Sequence, residues 1–206
     1  MTLRRRVLPV LTLTIGLMLG AGPAFAQIPG LGVKGGVNLA TQRNTGDEGN
    51  SDDVKSQVGF VGGAFATFHL VSFLEVQPEV LYSIKGARAD FEGIASKLLI
   101  DYLEVPLLLR VSKRGGIGYY AAGGPSVAFQ MRARTRTKFA GSTEEIDISD
   151  QVERLDFGMA IGGGVEIGSL VFDGRYTHGL SDVDKDKSDS IKVTNRALSF
   201  TAGFRF

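Results

Sequence analysis

The chain has 206 residues, with 23 Lys and Arg against 22 Asp and Glu, 28 glycines, 13 phenylalanines and no cysteine or tryptophan. The lack of cysteine excludes disulfides and thiolate chemistry, and so even a charge balance excludes the strongly basic surface that a nucleic-acid partner requires. Glycine at this level disfavours helices, whereas in a barrel it lets strands bend and coil tightly.

Arg4, Arg5 and Arg6 precede an apolar run from Val7 to about Leu19 and a small-x-small site at Ala24, Phe25 and Ala26. This order reads as a secretory signal peptide over residues 1–26, cleaved to leave one domain at 27–206. A membrane anchor would need about 20 apolar residues, and Pro9, Pro23 and the short run argue against it. Without the leading arginines, acidic residues slightly outnumber basic ones.

From there the chain alternates with a period of two, which marks strands with one apolar face and one polar or small face. The first candidate strand, 31–40, sets Leu31, Val33, Val37 and Leu39 against Lys34, Gly36 and Asn38. A polar, acidic loop follows at 41–56. The second strand, 57–70, sets Val58, Phe60, Ala64, Ala66, Phe68 and Leu70 against Gly59, Gly63, Thr67 and His69. A turn of a few residues leads to the third, 73–85, where Leu74, Val76, Val80, Tyr82 and Ile84 oppose Glu75, Gln77, Glu79, Ser83 and Lys85.

A polar connection at 86–98 precedes the fourth strand, 99–111, in which Leu103, Val105, Leu107 and Leu109 alternate with Tyr102, Glu104, Pro106 and Arg110. The turn at 112–116 opens the fifth, 117–131, with Ile117, Tyr119, Ala121, Val127, Phe129 and Met131 on its apolar face. Residues 132–150 form the longest connection, basic at first and acidic later, and its Thr-rich alternation suggests strands that run on past a membrane. The sixth strand, 152–167, sets Leu155, Phe157, Met159, Ile161, Val165 and Ile167 against Arg154, Asp156, Ala160 and Glu166. Gly168 and Ser169 suffice for a tight hairpin.

The seventh strand, 170–180, sets Leu170, Phe172, Tyr176, His178 and Leu180 against Val171, Asp173, Arg175 and Thr177. After a charged loop at 181–190, the eighth, 194–206, alternates Leu198, Phe200, Ala202, Phe204 and Phe206 with Ser199, Thr201, Gly203 and Arg205. Connections therefore run long, short, long, short, long, short, long. Outer-membrane barrels show that rhythm, with long extracellular loops and short periplasmic turns. The reading is all-β: an eight-stranded antiparallel up-and-down transmembrane β-barrel with both termini in the periplasm. A soluble lipocalin-like barrel, with the faces reversed, is the rival. The closing aromatic strand and the mixed charge of the polar faces favour the membrane version.

The inward faces then carry Glu75, Glu79, Glu104, Arg110, Arg154, Asp156, Glu166, Asp173, Arg175 and Arg205. Side chains just fill the interior of an eight-stranded barrel. These charges are expected to pair as a lumen plug, with a narrow pore for small solutes as the alternative.

Three motifs carry a family resemblance: Gly32-Val33-Lys34-Gly35-Gly36-Val37-Asn38-Leu39, Glu75-Val76-Gln77-Pro78-Glu79-Val80-Leu81-Tyr82 and Tyr102-Leu103-Glu104-Val105-Pro106-Leu107-Leu108-Leu109-Arg110. With the closing strand they resemble the PorT-like outer-membrane β-barrel domain family, among small barrels of the OmpA and OmpX kind. The resemblance implies the barrel and almost nothing about activity, since most members have no assigned role. The namesake's part in protein secretion has no residue here to carry it. The closing strand also resembles the terminal strand that barrel-assembly machinery reads, which makes Phe200, Phe204 and Phe206 the expected assembly signal.

A barrel enzyme such as a lipid A deacylase, a palmitoyltransferase or an omptin protease would need a base beside a nucleophile or carboxylate. The two histidines fall at opposite ends, His69 inward near the periplasmic rim and His178 outward near the extracellular end. His178 with Ser181 mimics a deacylase pair, and a polar belt residue beside Tyr176 is the plainer reading. Glu75 and Glu79 stand about 13 Å apart along a strand, too far for glycosidase chemistry. Asp47, Glu48, Asp52 and Asp53 lack EF-hand spacing, and Gly162-Gly163-Gly164 has no phosphate-loop context. No catalytic residue, cofactor or metal is expected. The expected partners are outer-membrane lipid, the assembly machinery and an unidentified extracellular ligand, with no nucleic acid, for a monomer in the outer membrane.

Overall fold

The computed structural model describes residues 30–46, 55–91, 94–139, 142–181 and 191–206. The signal-peptide reading and the acidic stretch 47–53 lie outside them. The described residues form β1 (Gly30–Gly46), β2 (Lys55–Val71), β3 (Leu74–Phe91), β4 (Ile94–Lys113), β5 (Ile117–Phe139), β6 (Ser142–Asp147), β7 (Leu155–Ile167), β8 (Leu170–Gly179) and β9 (Ile191–Arg205). Each strand pairs antiparallel with the next, except that β5 passes directly to β7, and β9 returns to β1. The ring is thus a closed eight-stranded barrel with no free edge. The short β6 pairs only with the distal end of β5, from Arg134 opposite Asp147 to Phe139 opposite Ser142, and stands outside the ring.

Alternation decides which way each side chain points. Along β7 the outward positions Leu155, Phe157, Met159 and Ile161 are exposed, while Asp156, Gly158 and Ala160 between them are buried. Ile161 is 66 % exposed and Glu79, on the inner wall of β3, only 1 %. A wall this apolar around a polar interior is solvated by hydrocarbon, so the barrel is a transmembrane one. Among the described residues no helix is long and apolar enough to cross a membrane.

One end of the barrel carries the tight connections, at 72–73, 114–116 and 168–169. Gly168 has φ 59°, the left-handed conformation that the two-residue hairpin needs. At the other end the strands run further than their apolar alternation predicts. β3 and β4 stay in register out to Phe91 opposite Ile94, so 86–91 and 94–98 are paired strand and not a polar loop. The backbone ladder continues there although the side chains no longer alternate. β5 and β6 form the extension that the Thr-rich alternation suggests. The predicted sixth strand begins at Leu155 and not at 152, because residues 149–154 bend across the mouth.

Two local features set the geometry. On β5, Tyr102 pairs with Gln130 and Asp101 with Arg132, so Met131 is an extra, bulged residue. Below the bulge even-numbered residues of β5 face inward; above it Ala133 does, and Arg132, Arg134 and Arg136 face out. At the closing seam, a Cβ on Gly36 would lie 1.9 Å from the Phe200 carbonyl oxygen. β1 and β9 approach each other too closely there for any side chain.

Gly36→Val is therefore expected to force the seam apart. In unboiled gels the variant should lose most of the compact, fast-migrating species that a folded barrel gives, while Gly116→Val, with nothing near its Cβ, should keep it.

Candidate functional site

The interior is built from the inward residues of all eight barrel strands, and its centre is Glu79. Its Oε1 accepts hydrogen bonds from Lys34 Nζ (2.8 Å), Gln77 Nε2 (2.6 Å) and an Arg175 terminal nitrogen (3.0 Å), while Oε2 accepts from the other Arg175 nitrogen (2.8 Å). Arg175 also reaches Asp173, whose carboxylate accepts the Tyr120 hydroxyl at 2.7 Å. Gln77 Oε1 accepts from Thr67 and Arg110. Arg110 lies 3.7 Å over the Tyr120 ring and donates to Glu166 at 2.7 Å, which Arg205 also holds at 3.0 Å. Followed from partner to partner, this single network touches β1, β2, β3, β4, β5, β7, β8 and β9.

Nearer the tight-turn end, Glu75 accepts from Arg114 at 2.6 Å, with His69 at 3.3 Å and Arg110 at 3.6 Å. Nearer the far end, a second polar group joins Lys85 to Glu104 and Asn195 to both Tyr102 (3.1 Å) and Asp156 (2.8 Å). Asn38 donates to Ser83 close by at 2.6 Å. A cavity of about 10 Å³, the room of roughly one water, lies among Lys85, Ser126, Asp156 and Thr177.

The interior is not charged throughout. Phe65, Leu108, Tyr120, Ala122, Ala160 and Val171 make one apolar cluster inside the wall. Ile100, Tyr102, Ala128, Ala133 and Val152 make another, with Ile148 against it. The second cluster is a cap: the 3₁₀ turn Ser149–Gln151 lies over the mouth, with Ser149 Oγ accepting from Ala133 N–H at 3.0 Å and Ser149 O accepting from Gln130 at 3.1 Å.

Glu79, Arg110, Glu166, Asp173, Arg175 and Arg205 thus meet in the central network, with Glu75 at its edge and Glu104 and Asp156 in the second group. Arg154 does not join them. It is exposed in the bend before β7, since β7 begins only at Leu155. Lys34 and Lys85 are buried members that the predicted set leaves out. Charge balance is the signal for them: both sit on inward faces, and the predicted set holds more carboxylates than cations. His178 stacks on Tyr176 at 6.4 Å, and the Ser181 hydroxyl accepts from Phe157 N–H at 2.9 Å.

Outside the hydrocarbon, the β5–β6 hairpin carries a charged ladder. Arg136 donates to Glu145 from Nε (3.1 Å) and a terminal nitrogen (2.7 Å), and this hydrogen bonding holds Glu145 below its ordinary carboxylate range. Hydrogen bonds from Ser149 do the same for Asp147.

The closed barrel, the apolar wall and the polar interior together define an outer-membrane β-barrel. Residues 25–185 match the family described as outer membrane protein beta-barrel domain, and the chain belongs to that family. No curated protein is significantly similar to it. Among solved structures the chain is similar to Ail, the attachment invasion locus protein of Yersinia pestis, crystallised with the heparin analogue sucrose octasulfate (17 % identity over 87 % of this chain and 100 % of that one, TM-score 0.40). It is also similar to the outer membrane protein OprG from Pseudomonas aeruginosa (12 %, 89 % and 98 %, 0.44) and to the outer membrane enzyme PagL (11 %, 82 % and 99 %, 0.42). The protein is a small barrel of the cell outer membrane.

Arg175→Met leaves Glu79 buried with half its donors gone, which should cost roughly 3–5 kcal/mol in urea unfolding from micelles. Adding Glu79→Gln should recover much of that loss. The hairpin titrates in the opposite sense from a buried cation. Because Glu145 and Asp147 are lowered in the folded state, their stabilisation is present above the ordinary carboxylate range and lost as pH falls through the folded values. Amide protection over residues 134–147 should therefore fall on acidification, and in Arg136→Gln it should fall at higher pH than in the wild type.

Proposed function

We propose that this is a non-catalytic outer-membrane protein whose lumen is sealed and whose work, in binding or adhesion, is done at the extracellular end. The observation that carries the reading is the single hydrogen-bonded network that reaches all eight strands at mid-barrel. A solute would have to break charge-assisted bonds at Glu79, and the apolar cap at Val152 and Ile148 adds a second barrier above them. The neighbourhoods of the two histidines support the absence of catalysis: His69 faces a carboxylate already engaged by two arginines, and Ser181 spends its hydroxyl on a backbone N–H.

The partners belong to the same proposal. Lipid solvates the outward band, the barrel works as a monomer, and the aromatic set Phe200, Phe204 and Phe206 serves the assembly machinery; the rings of Phe204 and Phe206 meet edge to face at 5.5 Å on the outer wall. The narrower PorT-like assignment rests on the three strand motifs and brings no secretion role with it.

Purified, refolded protein in planar bilayers tests the seal. The wild type should show no steady ion conductance, and Glu79→Ala combined with Arg175→Ala should show openings. Stable wild-type channels would replace this reading with a small-solute pore.

A further inference from the structure

We propose that the second polar group of the lumen is a binding site for one water molecule, held on the inner wall over Gly158 and bonded to both Lys85 and Asp156. Asp156 is 5 % exposed, and Asn195 donates to its Oδ2 at 2.8 Å. Its Oδ1 is buried as well, and among the described residues no donor reaches it. A carboxylate oxygen taken out of bulk water without a donor costs stability, so this atom calls for a small donating partner.

The strand register builds a place for that partner. Ser126 pairs with Gly158 across β5–β7, and Gly158 with Gly179 across β7–β8. Two of these three inward positions carry no side chain, which leaves a hollow in the inner wall beside Ser126, Asp156 and Thr177, with Lys85 reaching it from β3. The cavity of about 10 Å³ is this hollow, and it has the room of roughly one water. A Cβ on Gly179 would lie 3.4 Å from Asp156 Oδ1, so that oxygen borders the space that the missing side chain leaves.

The groups around the hollow select the ligand. Lys85 is a pure donor that meets the Glu104 carboxylate, the carboxylate of Asp156 is a pure acceptor, and the Ser126 and Thr177 hydroxyls can act as either. A water accepts from Lys85, donates one hydrogen to Asp156 Oδ1 and gives the other to a hydroxyl, which makes about three bonds, as buried waters usually do. The carboxylate repels an anion, the ammonium repels a metal cation, and the volume excludes anything larger. With the water in place, Glu104, Lys85, water, Asp156, Asn195 and Tyr102 follow one another as paired groups, and Glu104 and Tyr102 both belong to β4. The contacts then close on themselves, joining β3, β4, β7 and β9 in a ring above the Glu79 network. The site needs only the closed barrel, so it holds whether or not ions pass at Glu79.

A high-resolution crystal structure of the wild type tests the site directly. It should carry one ordered solvent peak within hydrogen-bond reach of both Lys85 Nζ and Asp156 Oδ1; a direct Lys85–Asp156 contact, or a hollow with no peak, overturns the proposal. Water-selective NOE spectra in deuterated micelles give a second readout. One Hα of Gly158 points where a Cβ would enter the lumen, and in the wild type it should show a cross-peak to a long-lived water. Ser126→Val sets two methyl groups in the hollow and should lose that peak while gel mobility still reports a folded barrel. A peak that survives unchanged in folded Ser126→Val overturns the placement, and if that variant does not fold, the wild-type solvent peak decides alone. An unfolding temperature that rises in sodium chloride but not in choline chloride, and no longer does so in Asp156→Asn, overturns the water in favour of a sodium ion.

Discussion

An ionised carboxylate cannot stay at mid-barrel without compensation, and Glu79 obtains it from Lys34, Gln77 and Arg175, on β1, β3 and β8. That requirement fixes distances across the lumen and not along the wall. Backbone ladders alone would allow a barrel to slip in register, because every strand pair looks alike to its neighbours. Donors converging on one carboxylate from opposite sides of the ring remove that freedom. A two-residue slip on β8 would carry Arg175 about 7 Å from its partner and leave both charges buried and unpaired. Such a network need not stabilise more than well-packed apolar side chains of equal volume. What it adds is a single register for a closed sheet.

The layers above and below follow from the same constraint. Arg110 can lie across Tyr120 because its terminal nitrogens are already directed to Gln77 and Glu166, which neutralises it in place. The apolar cluster of Phe65, Leu108 and Val171 fills space that hydrated charge would otherwise open to water. At the far mouth the 3₁₀ turn adds Val152 and Ile148 as a dry cover over Tyr102. A membrane barrel is often described as a soluble protein turned inside out, and this interior departs from that picture. Its charged groups are held largely by one another, and its apolar groups are inside as well as outside.

Much of this was legible in the sequence because period-two alternation states directly which residues share a wall. It failed where alternation of polarity and pairing of backbone part company. Between Gly86 and Leu98 the side chains stop alternating although the ladder continues, so a hairpin reads as a loop. At Met131 the reverse happens: alternation continues on paper while one extra residue turns the strand over. Residues 132–136 read as the start of a connection, and nothing in the alternation marks the extra residue that turns Arg132, Arg134 and Arg136 outward. Arg154 and Lys34 fail in complementary ways, the first because a strand was started three residues too early, the second because inward cations were not counted against inward acids. Which residues pair across the lumen is set by three-dimensional closure, and no local pattern carries it.

The same turn-over at Met131 divides the chain's charge between two tasks. Below it, β4 and β5 contribute Glu104, Arg110 and Tyr120 to an interior that satisfies itself. Above it, the same strands present Lys97, Arg134 and Arg136 to the outside, where Asp101 pairs with Arg134 and Glu145 of β6 with Arg136. One bulge therefore separates the charges that pair inside the lumen from those that pair on the outer wall. The interior of this eight-stranded barrel is filled by its own side chains. What such a protein touches is then met by its outer face and its extracellular hairpins.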